Sequence, residues 1–155
     1  MISSLSIIIT TINHKSLQFV KLNRLGVEEK RKNVAYVVPS APVAKARPRT
    51  VGLRNGMVRT YTPAKTANYE SHAKKCAMIA MRGQQALEGP VRFTCEIYLP
   101  IPKSWPKKKQ AAAAAGEVRP ISRPDIDNYI KALLDSANEI VVRDDSQVVE
   151  LVSCK

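Results

Sequence analysis

The side chains of this chain that could do chemistry are concentrated in one stretch, RPDIDNYIKALLDSANEIVVRDDSQVVE, at residues 123–150. Asp125 and Asp127 lie two residues apart where a helix is expected to begin, and Asp144 and Asp145 form a loop beyond that helix. We predict that the strand after this loop folds back beside the helix start and brings Asp145 towards Asp125 and Asp127. Carboxylates that converge raise one another's pKa, and a divalent cation removes the repulsion. Hard oxygen ligands with open water positions favour Mg²⁺.

Lys131 adds a positive charge to this region. It follows Asp127 by four residues, so both lie on the same edge of a helix. A bound metal activates water and neutralises developing charge, while a lysine stabilises charge at a phosphate or at the leaving oxygen. Together they indicate phosphodiester hydrolysis. Alone, a DxD pattern marks a capped helix start more often than a metal site; DxDN with a lysine four residues after the second Asp and then an Asp-Asp loop is much more specific.

Charge is distributed unevenly along the chain. The net charge is +12, made up of +4 in residues 1–33, +11 in residues 34–120 and −3 in residues 121–155. A basic body with one acidic region suits a protein that attracts polyanions and holds cations at one place, although solvated surface charge is an equal alternative. The candidate DNA contacts are the basic residues of a Pro-rich segment and of an Ala-rich helix: Lys45, Arg47, Arg49, Arg54, Lys107, Lys108 and Lys109.

Periodicity predicts the elements that must position these residues. Residues 34–38 and 57–61 read as short strands, and residues 91–99 alternate as a half-buried strand does. Helices are expected from Pro63 to about Met81, from an N-cap at Ser104 to Gly116, and from about Asp127 with an apolar face. The length of 155 residues suits one small domain.

The remaining features narrow the class of protein. The three cysteines form no CxxC pair, so a disulfide framework and a zinc site lack support, and a reducing, cytoplasmic location is expected. Residues 1–33 contain neither a membrane span nor a secretory signal and are expected to be a poorly ordered appendage. A short extra strand or a partner-binding segment is the less favoured alternative for residues 1–33.

Residues 123–151 closely resemble the signature of the RusA family of Holliday junction resolvases, found in bacteria and their phages, and VAYVVPSAPVAKARPR, RTYTPAKTANYE and IPKSWPKKK are similar to its phage-type members. The resemblance implies an α/β domain of the α+β type over residues 34–155, with a mixed sheet flanked by helices. It also implies a homodimer that nicks four-way DNA junctions symmetrically in recombination and repair. Mg²⁺ is the implied cofactor, with Mn²⁺ as a substitute, and no small-molecule cofactor or membrane is expected.

The same resemblance assigns roles to individual residues. Asp125, Asp127 and Asp145 match the metal ligands of the family, and Lys131 matches its catalytic lysine. Asn128 completes the DxDN motif and is expected to orient a ligand carboxylate. Asp144 is expected to lie just outside the metal ligands. Family members usually continue beyond the last strand seen here, so a shortened C-terminus is an expectation of this comparison.

Three other classes of protein fit these features less well than a nuclease does. A non-catalytic nucleic-acid-binding protein explains the basic charge, but not carboxylates placed where they repel phosphate. A haloacid-dehalogenase phosphatase also uses DxD, but there a hydrophobic strand precedes the motif, whereas Arg-Pro precedes it here. A DxD glycosyltransferase needs a nucleotide-sugar domain that this length does not allow.

Overall fold

The central sheet of the protein has four strands, which are unevenly spaced along the chain. The computed structural model describes residues 5–11, 33–54 and 56–155. The strands, in chain order, are β1 (Leu5–Thr11), β2 (Asn33–Val38), β3 (Arg49–Gly52), β4 (Val58–Tyr61), β5 (Val91–Ile97) and β6 (Val148–Cys154). The helices are α1 (Ala64–Met81), α2 (Lys107–Ala114) and α3 (Ile126–Ala137).

The main sheet has the order β2-β1-β5-β6 and is mixed. β1 pairs antiparallel with both β2 and β5, whereas β5 and β6 are parallel. A separate two-stranded hairpin consists of β3 and β4. The predicted fold class, a small α+β domain with a mixed sheet and helices, is confirmed.

The middle of the sheet buries alternate residues, as the sequence predicts. In β5, Val91, Phe93, Cys95 and Ile97 are buried, while Arg92 and Glu96 on the opposite face are exposed. Successive side chains of a strand point to opposite faces, so one face of β5 enters the core and the other meets solvent. The half-buried strand predicted over residues 91–99 is therefore confirmed, ending at Ile97.

Helices α1 and α3 pack against each other, and α1 also packs against β2. Helix α1 buries residues at helical spacing, including Tyr69, Ala73 and Ala77, and α3 buries Ile130 and Leu133. Residues three or four apart lie on one face of a helix, so these apolar stripes face the core. None of the described helices is long and apolar enough to cross a membrane.

The segment before β2 differs from its prediction as an appendage. Residues 5–11, expected to belong to an appendage, form strand β1 between β2 and β5, and the side chain of Ile7 is completely buried. The physical reason is the run of Ile and Thr residues, which favour strands because branched side chains pack well on a pleated surface. The less favoured alternative of an extra strand applies to these residues. Residues 1–4 and 12–32 lie outside the described part of the chain, and the boundary at residue 33 stays a prediction.

Helix α2 begins later than predicted. Pro106 occupies its N-cap position, so Ser104 lies ahead of the helix and does not cap it. A proline disfavours helical backbone in the residue before it, and Trp105 is therefore excluded from the helix. The ammonium group of Lys109 lies 4.0 Å from the centre of the Trp105 ring, a cation–π contact on an element with no buried residue.

Candidate active site

The start of α3 presents two carboxylates to solvent. Asp125 is the N-cap residue, with extended backbone, but its side chain makes no capping hydrogen bond. Asp127 lies in the first turn, and both residues are exposed. The amino end of a helix carries partial positive charge, which stabilises carboxylates there. The carboxylate of Asp125 is thus held at the helix end without serving as its cap.

Asn128 and Lys131 complete the exposed edge of α3. The side-chain amide of Asn128 donates a hydrogen bond to Oδ1 of Asp127 at 3.2 Å, which is the contact expected of a residue that orients this carboxylate. Lys131 is 63% exposed, and its ammonium group lies 3.8 Å from Oδ1 of Asp135. The predicted roles of both residues in metal binding and catalysis stay predictions.

The predicted approach of Asp145 to Asp125 and Asp127 within one chain is wrong. The ammonium group of Lys155 donates hydrogen bonds to the backbone carbonyls of Ser122 (2.9 Å) and Pro124 (3.0 Å). The far end of β6 therefore reaches the start of α3. β6 is seven residues long, so its first residue lies roughly 20 Å from its last at about 3.3 Å per residue.

Parallel pairing explains this arrangement. Because β5 and β6 are parallel, the chain between them must return to the end of the sheet at which β5 begins. The crossover helix α3 therefore runs antiparallel to both strands. Asp145, just before β6, thus lies towards the C-terminal end of α3, where Asn138 pairs with Val142. Within the described part of the chain, no group of three or more His, Cys, Asp or Glu residues is placed to hold a metal ion.

Asp144 has a structural role in its own loop. Its Oδ1 accepts a hydrogen bond from the backbone N–H of Ser146 at 2.9 Å, and Gln147 Oε1 accepts one from the backbone N–H of Asp144 at 3.1 Å. This reciprocal pair caps the single 3₁₀ turn that precedes β6. The hydrogen bonds from Ser146 lower the pKa of Asp144. The role predicted for Asp144 near the metal is not tested by these contacts.

Lys45, one of the predicted phosphate contacts, makes two internal ion pairs, and its contact with DNA stays a prediction. Its ammonium group lies 2.6 Å from Glu70 Oε1 on α1 and 2.7 Å from Asp135 Oδ2 on α3. Burial by itself lowers the pKa of Lys45, but the hydrogen bonds to Asp135 and Glu70 outweigh it and raise the pKa. Lys45 therefore joins the Pro-rich segment to both helices. These partners lie far from it in sequence, so no local pattern could have identified them.

The other basic candidates remain exposed. The backbone N–H of Lys45 donates to the carbonyl of Asn128 at 2.7 Å, which places the Pro-rich segment against the first turn of α3. Arg47 and Arg49 follow two and four residues later and are exposed. Arg54 is exposed near the tip of the β3–β4 hairpin, and Lys107, Lys108 and Lys109 are exposed on α2. The structure thus brings one predicted basic segment close to the acidic helix start.

Comparison with known proteins identifies a family and a relative that this chain resembles. A family model described as endodeoxyribonuclease RusA matches residues 39–155, a range that includes the Pro-rich segment, the hairpin and α3. The uncharacterized protein YqaN of Bacillus subtilis is 38% identical over 122 residues, which cover 76% of this chain and 83% of that protein. No solved structure gives a significant match.

Proposed function

The chain belongs to the RusA family of endodeoxyribonucleases, and from this we propose that it is a Mg²⁺-dependent homodimer that resolves four-way DNA junctions by paired symmetric nicks. Family membership implies nuclease action on DNA junctions; the metal, the dimer and the symmetry belong to the proposal. The observation that carries it is the 2.7 Å hydrogen bond from Lys45 N to Asn128 O. This bond holds a basic segment beside the acidic start of α3, so a DNA backbone bound by Arg47 and Arg49 would pass close to Asp125 and Asp127.

Asp125 and Asp127 fit a site for a hard divalent cation. Both carboxylates are exposed, and that of Asp125 is not engaged as a helix cap. Mg²⁺ takes one or two protein carboxylates and keeps several waters, which suits a site open to solvent. When bound there, the ion would activate water and neutralise charge at the scissile phosphate.

A second copy of the chain is needed if Asp145 is to join these ligands. Within one chain, the strand β6 separates Asp145 from the start of α3 by roughly 20 Å. In a two-fold symmetric dimer, each chain can present the same group to its partner's site. We therefore include in the proposal that Asp145 of each subunit completes the site of the other. Two such sites would account for paired nicks in a four-way junction.

Lys131 and the two arginines have separate tasks in this proposal. The ammonium group of Lys131 is largely exposed, and its contact with Asp135 is long, at 3.8 Å, so it can turn towards a bound phosphate. There it would stabilise negative charge that develops as the phosphodiester bond breaks. Arg47 and Arg49 would bind phosphates away from the scissile bond, which supplies affinity and register but no chemistry.

Cleavage of a synthetic four-way junction, next to a linear duplex of the same sequence, tests the proposal. We expect cuts at symmetric positions in the junction with Mg²⁺ or Mn²⁺, none with EDTA, and little cutting of the duplex. An Asp127→Asn variant should bind the junction but not cut it, because phosphate contacts and not carboxylates provide affinity. Junction binding without any metal-dependent cutting would instead support a non-catalytic DNA-binding protein.

A further inference from the structure

One face of the β3–β4 hairpin combines an aromatic ring, aliphatic side chains and two arginines. The register pairs Arg49 with Tyr61 and Val51 with Arg59. Residues opposite each other in an antiparallel pair lie on the same face of the ribbon, and neighbours along a strand lie on the other. The same face continues to Leu53, and Val51, Leu53, Arg59 and Tyr61 together line a shallow recess.

This face is open to solvent. Tyr61 is 41% exposed, and Val51 and Leu53 are also exposed. The two strands contact each other but have no extensive contact with another described helix or strand. Thr50 and Thr60 pair on the opposite face, with their hydroxyl oxygens 3.3 Å apart. An isolated hairpin is marginally stable in water, so a face of this composition suits a ligand that covers it.

Charge indicates what kind of ligand that is. Residues 49–61 contain three arginines and no Asp or Glu, so the hairpin complements a polyanion. A second copy of the same face would bring Arg49 and Arg59 against like charges, which disfavours self-association. Aromatic rings flanked by cationic groups are the means by which proteins hold unpaired bases, because a base stacks on the ring while its phosphates meet the charges.

We propose that the hairpin face formed by Arg49, Val51, Leu53, Arg59 and Tyr61 holds an unstacked base at the branch point of the DNA substrate. This rests on the proposed function and extends it to a determinant of structure specificity. In linear duplex each base is stacked on both sides, and extracting one costs a few kcal/mol. At a branch point the stack is already interrupted, so the same face favours branched over linear DNA.

Equilibrium binding of the full chain in EDTA tests this assignment. Tyr61→Ala should weaken junction binding roughly 5- to 150-fold, the range for losing one stacked base, and leave binding to linear duplex nearly unchanged. Tyr61→Phe retains the ring and should bind as the wild type does. Tyr98→Ala is the matched control, because Tyr98 is 51% exposed but lies outside the hairpin, and it should have no effect.

A junction with abasic nucleotides at the branch point provides a second measurement, whose first arm uses wild-type protein alone. Wild-type protein should bind it as weakly as Tyr61→Ala binds the intact junction, and Tyr61→Ala should lose nothing further. The proposal would be overturned if Tyr61→Ala and the abasic substitution weakened binding independently, with additive losses. It would also be overturned if Tyr61→Ala weakened binding to junction and duplex equally, or if it changed the oligomeric state. If wild-type protein does not prefer junctions at all, the proposed function fails; if it prefers them and Tyr61 is without effect, only the hairpin assignment fails.

Discussion

Mixed dimers of inactive chains should recover activity if Asp145 acts across the subunit boundary. Two ligands of one Mg²⁺ ion, each at about 2.1 Å, lie within roughly 4 Å of one another. The start of β6 is separated from the start of α3 by roughly 20 Å, the length of a seven-residue strand. Asp125 and Asp145 of one chain therefore cannot bind the same ion without a rearrangement of the sheet.

The perturbation is a heterodimer of one Asp125→Asn chain and one Asp145→Asn chain. One of its two composite sites combines both substitutions and is dead, while the other contains only native residues. After random mixing, about half of the dimers are heterodimers, and the sample has about a quarter of the wild-type number of intact sites. If each chain instead forms its own site, every site has one substitution, and no activity returns.

Two different affinity tags allow the heterodimer to be purified, and a cruciform in a supercoiled plasmid reports its action. A dimer with one intact site should nick the plasmid to the open circle without converting it to the linear form. The matched control pairs an Asp125→Asn chain with an Asp127→Asn chain, because these residues lie at the same helix end and neither composite site is intact. Inactivity of the first heterodimer, with active wild-type dimers treated in the same way, would refute the reasoning.

Further predictions concern the lysines and the cysteines. Lys131→Ala should keep its thermal stability and its junction binding but lose roughly 100- to 1,000-fold in single-turnover cleavage; near-normal cleavage would leave Lys131 without a catalytic role. In urea titrations Lys45→Met should lower the free energy of unfolding by on the order of 2–3 kcal/mol, because two partly buried carboxylates lose their partner, whereas Arg47→Met should change it by less than about 0.5 kcal/mol. Since the pKa of Lys45 is raised above 10.5 in the folded protein, its contribution is complete below that pH and is lost only as the pH rises through the folded-state value. Burial raises the pKa of Cys95 to about 12, so at pH 8 a thiol reagent should label the exposed Cys154 quickly and Cys95 only after unfolding; rapid labelling of Cys95 in the native state would contradict its burial.

Local patterns predicted the parts of the site that one element contains. The DxDN motif, the apolar face of α3 and Lys131 all follow from residues within one helix, and the structure places them on that helix as expected. The alternation of β5 was equally visible, because burial on one side of a strand leaves a period of two in the sequence. In each case, the information lies within about a dozen neighbouring residues.

Long-range geometry accounts for what was missed. Lys45 pairs with Glu70 and Asp135, which are 25 and 90 residues away in sequence, and nothing in the Pro-rich segment distinguishes it from the exposed Arg47. The position of Asp145 depends on whether β6 runs parallel or antiparallel to β5. The residues of β6 alone do not reveal this direction. A parallel crossover around α3 was nevertheless inferable from the order strand, helix, strand, and it would have placed Asp145 at the correct end.

The position of β1 has a consequence for how this chain folds during synthesis. β1 pairs with β2 on one side and with β5 on the other, although β5 begins only at Val91. At 5–20 residues per second, the ribosome needs roughly 3–12 s to make the chain between the end of β2 and the end of β5. Through that interval, one hydrogen-bonding edge of the nascent β1–β2 pair has no partner, and open strand edges are where chains join one another wrongly. Slower translation would lengthen the time for which this edge is open, and many ribosomes on one message would bring several open edges close together. The yield of folded protein should therefore depend on how quickly residues 91–97 emerge.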